Sequence, residues 1–304
     1  MSKNQMQIDQ PGPESDGDIV DDGAPRFDGP IRDALLRQGY LTKEQAAHVQ
    51  RHQAERGLDF DQAALELGYI STDDLDRARD QLVTSLALVA SVRRPVSDEL
   101  AVLSDPGGLQ SEAFRLLRTQ IISQHIRNGR RGLAIVAPAD GVGCTYVAGN
   151  LAVALSQAGL KTLIIDANMR NPRLDQMFGF EPDAPGLSSF LTLQVARPER
   201  VVSANVLPSL AVMTAGPATA RPQELLSGHR FRDGVNTLLR EYDLVIFDTP
   251  AANTNADALS VGSAAGYGLL VARRDQSYYR DIITLRGQLT DSRCVVVGSV
   301  LNEF

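Results

Sequence analysis

Six apolar runs mark the second half of the chain: "LAIVAP" (133–138), "TLIIDA" (162–167), "LAVMTA" (210–215), "LVIFDT" (244–249), "GLLVAR" (268–273) and "CVVVGSVL" (294–301). They are continuous rather than alternating, so each predicts a strand buried on both faces. Helical patterns lie between them, such as "YVAGNLAVALSQAG" after the first run. Strands alternating with helices predict an α/β domain over residues 111–304, with a mostly parallel sheet covered on both sides.

The first third reads differently. "ALLRQGYLTKEQAAHVQ" (34–50) and "AALELGYISTDDLDRAR" (63–79) superpose, with Gly39 on Gly68 and Tyr40 on Tyr69. Each copy predicts a short helix stopped by glycine, a turn, and a new helix capped by Thr42 or Ser71. Residues 30–82 are therefore expected to form a small all-helical domain of two helix–turn–helix units. Residues 1–29, rich in Asp, Gly, Pro and Ser, predict a disordered acidic tail. Residues 83–110 carry Pro95, Pro106 and a Gly-Gly pair and read as a linker.

Charge and composition narrow the partners. A net charge of -7 disfavours nucleic acid and anionic membranes. No apolar run approaches the ~18–20 residues of a membrane helix, so any membrane link is expected to pass through a partner, with no direct insertion. Two cysteines, Cys144 and Cys294, and no signal-peptide pattern at "MSKNQMQIDQ" fit a reducing cytoplasm.

The chemistry centres on "APADGVGCT" (137–145), placed between a strand and a helix. In such loops glycines let backbone N–H groups approach phosphates, a lysine reaches the β- and γ-phosphates, and a Ser or Thr hydroxyl meets Mg²⁺. Gly141, Gly143 and Thr145 suit these roles, but Cys144 stands at the lysine position and Pro138 at the first glycine. Alone, the segment reads as a plain βα turn. "TLIIDANMR" and "YDLVIFDTP" change that, because they end strands with Asp166 and Asp248 on the edge where parallel sheets bind ligands. A single strand-end Asp commonly caps the next helix; two of them beside a glycine turn with Thr145 in register favour a P-loop.

These segments, with "SEAFRLLRTQI" (111–121), "GLSSFL" (186–191), "AGPATARPQELLSG" (215–228) and "VVVGSVLNEF" (295–304), make the chain resemble the bacterial tyrosine kinases of polysaccharide synthesis, relatives of the MinD and ParA ATPases. More narrowly it resembles the EpsG-type chain-length-determinant tyrosine kinases. The N-terminal repeat resembles the domain that opens type II secretion ATPases. The resemblance implies a nucleotide-binding loop over 138–145, with Gly141, Val142, Gly143, Cys144 and Thr145 followed by Tyr146, and with Asn302 facing the adenine. It implies a catalytic Asp166, Mg²⁺ held by Thr145, Asp166 and Asp248, and ATP as cofactor. Glu112, Arg115 and Arg118 match an E-x-x-R-x-x-R element linked to homo-oligomers; a solvated Glu–Arg pair at i,i+3 is the equal alternative. The implied partner is a membrane chain-length determinant, a polysaccharide co-polymerase, which would hold a cytoplasmic protein at the inner membrane.

The chain departs from that family in four places. Lysine is absent from the loop, the only lysines being Lys3, Lys43 and Lys161. Asn168 replaces the second aspartate of D-x-D-x-R. The chain stops two residues after Asn302 without a tyrosine-rich tail, and Tyr278 and Tyr279 read as helix-surface residues rather than acceptors. The dinucleotide-binding triplets of related N-terminal domains read here as Pro30-Ile31-Arg32 and Asp59-Phe60-Asp61, which favours protein docking over cyclic di-GMP. The expectation is an exopolysaccharide regulator with impaired phosphotransfer. An active tyrosine kinase, a non-catalytic adaptor that binds no nucleotide, and a cyclic di-GMP receptor remain as alternatives. Cys144 is expected to fill the space of the lysine, a thiol of lowered pKa at the helix N-terminus being the lesser reading.

Overall fold

The computed structural model describes residues 32, 35–36, 39–75 and 95–303. The acidic tail expected over 1–29 and residues 83–94 of the expected linker lie outside the described residues.

In the N-terminal unit, α1 (Lys43–Arg56) and α2 (Phe60–Glu66) follow the repeat. Thr42 Oγ1 accepts from the Gln45 N–H at 3.2 Å, and the Gln45 side chain accepts from the Thr42 N–H at 2.9 Å, a reciprocal cap. Ser71 and Asp74 repeat the exchange at 3.2 and 3.1 Å. Gly39 and Gly68 adopt left-handed φ of 74° and 65°, which explains why the repeat keeps glycine there. Leu35, Leu41, Val49, Phe60, Ala63, Ile70 and Leu75 form its core. Phe60, the centre of the second triplet, is therefore a core residue, and Asp59 caps α2.

From residue 95 the remaining elements belong to the second unit. They are α3 (Ala101–Ser104), α4 (Leu109–Gln124), β1 (Gly132–Val136), α5 (Cys144–Gln157), β2 (Thr162–Asp166), α6 (Leu174–Met177), α7 (Leu187–Leu191), β3 (Ser203–Leu207) and β4 (Leu210–Met213). After them come α8 (Pro222–Ser227), α9 (His229–Glu241), β5 (Leu244–Asp248), α10 (Asp257–Ala265), β6 (Tyr267–Arg273), α11 (Tyr279–Asp291) and β7 (Val295–Asn302). The sheet has seven strands in the order β3-β4-β2-β5-β1-β6-β7, parallel except where β3 pairs antiparallel with β4.

The six apolar runs all became parallel strands, and the first five send alternate residues into opposite cores. The sixth, expected to be buried on both faces, is the edge strand β7, which lacks a neighbour on one side and leaves Val295 and Leu301 54% and 60% exposed. Leu133 and Ile135 of β1 face one cluster, with Leu151 and Leu155 of α5. Ala134 and Val136 face the other, with Phe231 and Val235 of α9 and Val261 of α10. A fully buried Leu or Ile contributes about 1.5–3 kcal/mol. At Gly132 a Cβ would stand 2.3 Å from the Ala265 carbonyl oxygen, so only glycine lets α10 end against β1.

Two features depart from the sequence reading. The linker expected to run to 110 already belongs to the core at its C-terminal end: Leu100 and Val102 are fully buried, and Asn150 of α5 accepts from the Val102 N–H at 3.1 Å. Pro and Gly in that stretch terminate the short α3 rather than loosen the chain. The strand β3 was not anticipated, because "SANVL" is short, half polar and lies on the sheet edge.

Candidate nucleotide site

The order of strands in the sheet places β1 between β5 and β6, so the connection leaving β1 opens at the point where the strand order reverses, the usual crevice of such sheets. The turn there requires left-handed backbone twice, with φ 74° at Gly141 and 98° at Gly143. Gly143 is the N-cap of α5, whose first turn presents N–H groups without helical partners, the feature that binds phosphate.

Thr145 Oγ1, in the first turn of α5, donates to Asp248 Oδ2 at 2.7 Å. Asp248 ends β5 and is fully buried, and its Oδ1 has no hydrogen-bond partner. The β2–β5 register sets Asp166 directly beside Asp248. Asp166 is equally buried, but both of its oxygens are engaged: Oδ1 accepts from the Asn168 N–H at 3.0 Å, and Oδ2 from Arg173 and Leu174 N–H at 3.1 and 3.0 Å. Asp166 thus anchors the loop into α6, the capping use open to any strand-end Asp, while also standing beside Asp248. Asn168 accepts through Oδ1 from the Asn171 N–H at 3.2 Å and helps shape the same loop.

Two adjacent carboxylates in a dry site resist ionisation. Burial raises Asp166 to about 7, Asp175 adds to this, and the three backbone N–H bonds oppose it. Burial and the charge of Asp166 push Asp248 well above the usual carboxylate range, against the bond from Thr145 and the nearby Arg173. A cation at the open oxygen of Asp248 would favour both ionised forms. Mg²⁺ commonly takes only one or two protein carboxylates when phosphates complete its shell. Among the described residues no cluster of three or more His, Cys, Asp or Glu side chains is placed to hold a metal.

The loop is pinned from three sides. Arg273 Nη1, at the end of β6, donates to the Gly141 carbonyl at 3.0 Å, and Asn302 Nδ2, at the end of β7, donates to that of Val142 at 3.0 Å. Ala252 and Asn253 N–H groups bond the carbonyls of Ala137 and Pro138 at 2.9 and 3.0 Å. Sequence reading missed Arg273; its signal was a basic residue ending a strand that neighbours β1. Asn302 is brought to the site, here as a partner of the loop backbone.

The other expected residues fall as follows. Cys144 begins α5 and packs against the core cluster behind β1. Burial, with Asp248 and Asp140 nearby, pushes its thiol well above the usual range, so the reading of a lowered thiol pKa is overturned. Burial, with the two carboxylates, outweighs the helix N-terminus there. Tyr146 turns from the loop to α4, its hydroxyl donating to Gln110 Oε1 at 2.9 Å. Glu112 and Arg115 pair with one another on α4, and Arg115 also bonds the Pro106 carbonyl. Arg118 donates to the Ala154 carbonyl of α5 at 3.3 Å. Lys161 lies at the start of β2, the far edge of the sheet, over the Tyr242 ring at 4.9 Å, and cannot replace the loop lysine. Arg170 grips the buried Asp257 at the start of α10, at 2.7 and 3.3 Å.

This fold and loop define a P-loop α/β domain. The septum site-determining protein MinD of Pyrococcus horikoshii, complexed with Mg-ADP, shares the fold at a TM-score of 0.50 and 22% identity, over 56% of this chain and 69% of that one. No known family profile matches the chain. Tyrosine-protein kinase YwqD of Bacillus subtilis is 32% identical over 200 residues, 66% of this chain and 84% of that protein. The kinase domain of the Escherichia coli tyrosine kinase ETK matches with a TM-score of 0.63 at 28% identity, covering 67% of this chain and 79% of that one. The chimerical protein CapA2B2 matches at 0.61 and 29% identity, over 72% of this chain and 98% of that one. The chain belongs to the bacterial tyrosine-protein kinase family.

Proposed function

We propose that the chain is a nucleotide-dependent regulator of exopolysaccharide synthesis and export, acting with a membrane chain-length determinant, and that its phosphoryl transfer is impaired. The observation that carries this reading is the Thr145–Asp248 bond at 2.7 Å, with the second oxygen of Asp248 buried and open beside Asp166. A relic loop would not need a hydroxyl, an open carboxylate oxygen and two left-handed glycines in one place. ATP phosphates would lie on the backbone of 138–145, and Mg²⁺ would sit at Thr145 and Asp248, neutralising charge on the phosphates when bound. Asp166, raised to about 7, is the group on this edge suited to hold a proton from a reacting hydroxyl.

Impairment follows from Cys144. A neutral thiol supplies no charge to the phosphates, and loss of one preorganised donor costs about 10²–10³ in rate. No helix among the described residues is long and apolar enough to cross a membrane, so the membrane partner would provide the attachment on the cytoplasmic side. Assembly of copies would use α4, where Leu109 and Leu116 are 91% and 68% exposed beside Glu112 and Arg115. The N-terminal unit would serve as a docking module, since Asp59 and Asp61 repel a dianionic ligand and Phe60 is buried in the core.

Equilibrium titration with ATP, with and without Mg²⁺, tests the reading beside the variant Cys144→Lys. Binding by the natural chain that tightens with Mg²⁺ is the expected result. Binding by Cys144→Lys alone would leave a non-catalytic adaptor on a kinase fold, and binding by neither would overturn the nucleotide reading.

A further inference from the structure

With Cys144 in the loop, a cation for the phosphates has to come from another element. The arginines around the site differ in what holds them. Arg170 is gripped by the fully buried Asp257 at 2.7 and 3.3 Å. Arg273 donates to the Gly141 carbonyl at 3.0 Å and keeps the loop in shape. Releasing Arg170 would leave a buried carboxylate uncompensated, and releasing Arg273 would loosen the loop itself.

Arg173 is held differently. Its Nη2 donates to both oxygens of Glu99, at 2.6 and 2.9 Å, and the two side chains are 47% and 45% exposed. An ion pair so open to water contributes little and exchanges partners easily. The backbone on either side of it is fixed. The Arg173 N–H donates to Asp166 Oδ2 at 3.1 Å, which ties it to the buried carboxylate beside Asp248. The Arg173 charge reaches Asp248, where it favours the ionised form. At the other end, the Glu99 carbonyl accepts from Asn150 Nδ2 at 2.8 Å, and the same amide donates to the Tyr146 carbonyl in the first turn of α5. The Glu99 charge reaches the Tyr146 phenol, whose pKa burial and this charge raise. The pair thus bridges from the strand-end carboxylates to the N-terminus of α5, beside the place where phosphates would lie.

We propose that Arg173 supplies the charge that Cys144 does not: in the nucleotide complex its guanidinium leaves Glu99 and binds the phosphates of ATP. The proposal rests on the nucleotide reading of the loop and adds to it the residue that recognises the phosphates. A guanidinium offers a planar fork of donors that matches phosphate oxygens, and such charge-assisted bonds are stronger than an exposed ion pair. Glu99 then competes with the nucleotide for one cation and sets affinity from outside the loop.

The test is a double-mutant cycle on the full chain, read by equilibrium titration with ATP and Mg²⁺. Arg173→Ala keeps the backbone N–H that bonds Asp166, so its unfolding midpoint should stay near that of the natural chain. Its ATP affinity should fall about 10-fold. Glu99→Ala should instead bind ATP more tightly, whereas a purely structural pair would lose affinity when broken from either side. In Arg173→Ala/Glu99→Ala that gain should vanish, leaving the affinity of Arg173→Ala alone. Arg173→Gln, which keeps much of the side-chain length, repeats the measurement should the alanine variant lose stability. ATP binding that neither Arg173 variant weakens overturns the proposal and leaves the nucleotide reading intact. A gain from Glu99→Ala that persists without Arg173 also overturns it, since Glu99 would then act only by repelling phosphate. Absence of ATP binding by the natural chain overturns both.

Discussion

Asn302 Nδ2 donates to the carbonyl of Val142 at 3.0 Å, so the end of β7 fixes the loop that follows β1 across 160 positions of sequence. One amide bond of this kind contributes about 0.5–1.5 kcal/mol. Asn302→Ala should leave the fold cooperative and lower its unfolding midpoint only slightly. Its ATP affinity should fall roughly three- to ten-fold, because the loop loses one of its clamps. Titration beside the natural chain measures the ratio; an unchanged affinity would mean that Arg273 and the contacts of Ala252 and Asn253 suffice.

The buried carboxylate pair sets a pH dependence with a definite sign. Both groups are raised in the folded chain, Asp166 to about 7, above the ordinary unfolded value near 4. Their protonated forms stabilise the fold fully below the unfolded pKa, and that stability is lost as pH rises through the folded value. His125 opposes this, since burial holds it at about 4 and it destabilises the fold as pH falls below about 6.5. Asp248→Asn separates the two, for His125 is common to both proteins. Without nucleotide or metal, Asp248→Asn should be more stable than the natural chain near neutral pH, because it removes a buried charge beside Asp166. The gap should close toward about pH 4. Urea unfolding at several pH values reads it directly.

Cys144 should behave as an inert thiol despite its place at a helix N-terminus. Burial and the carboxylates of Asp248 and Asp140 hold it protonated, and burial raises Cys294 to about 11. Iodoacetamide should therefore alkylate both residues of the native protein at least ~10-fold more slowly than a free thiol at neutral pH. Unfolding in urea should restore the ordinary rate. Fast modification of Cys144 in the native protein would show that the site is more open or more positive than its side chains indicate.

The strands and the glycine turn were legible because they obey local rules. A strand buried on both faces must be a continuous apolar run, and a turn with φ near 74° and 98° requires Gly141 and Gly143. Asp166 and Asp248 were legible as strand-end acids, but their adjacency comes from the β2–β5 register, which no local pattern encodes. The same holds for Arg273 and Asn302, whose carbonyl partners lie 132 and 160 positions away. The stretch 100–103 was misread because composition around Pro106 and the Gly-Gly pair looked loose, whereas Leu100 and Val102 complete the core behind α5.

Helix α4 separates an inward function from an outward one, and the two respond to different substitutions. Arg118 reaches the Ala154 carbonyl of α5, in a setting where burial and Arg115 lower its pKa, so its charge is held within the fold. Leu109 and Leu116 stand two turns apart on the opposite, solvent-facing side, where a packed monomer has no use for them. Arg118→Ala should cost about 1–2 kcal/mol of stability through a lost charge-assisted bond and lost packing. Leu109→Asp/Leu116→Asp should leave unfolding nearly unchanged but shift any self-assembly toward monomers. Light scattering after size exclusion, at several concentrations, distinguishes these outcomes. If Arg118→Ala dissociates copies without destabilising the fold, the E-x-x-R-x-x-R element acts between chains and not within one.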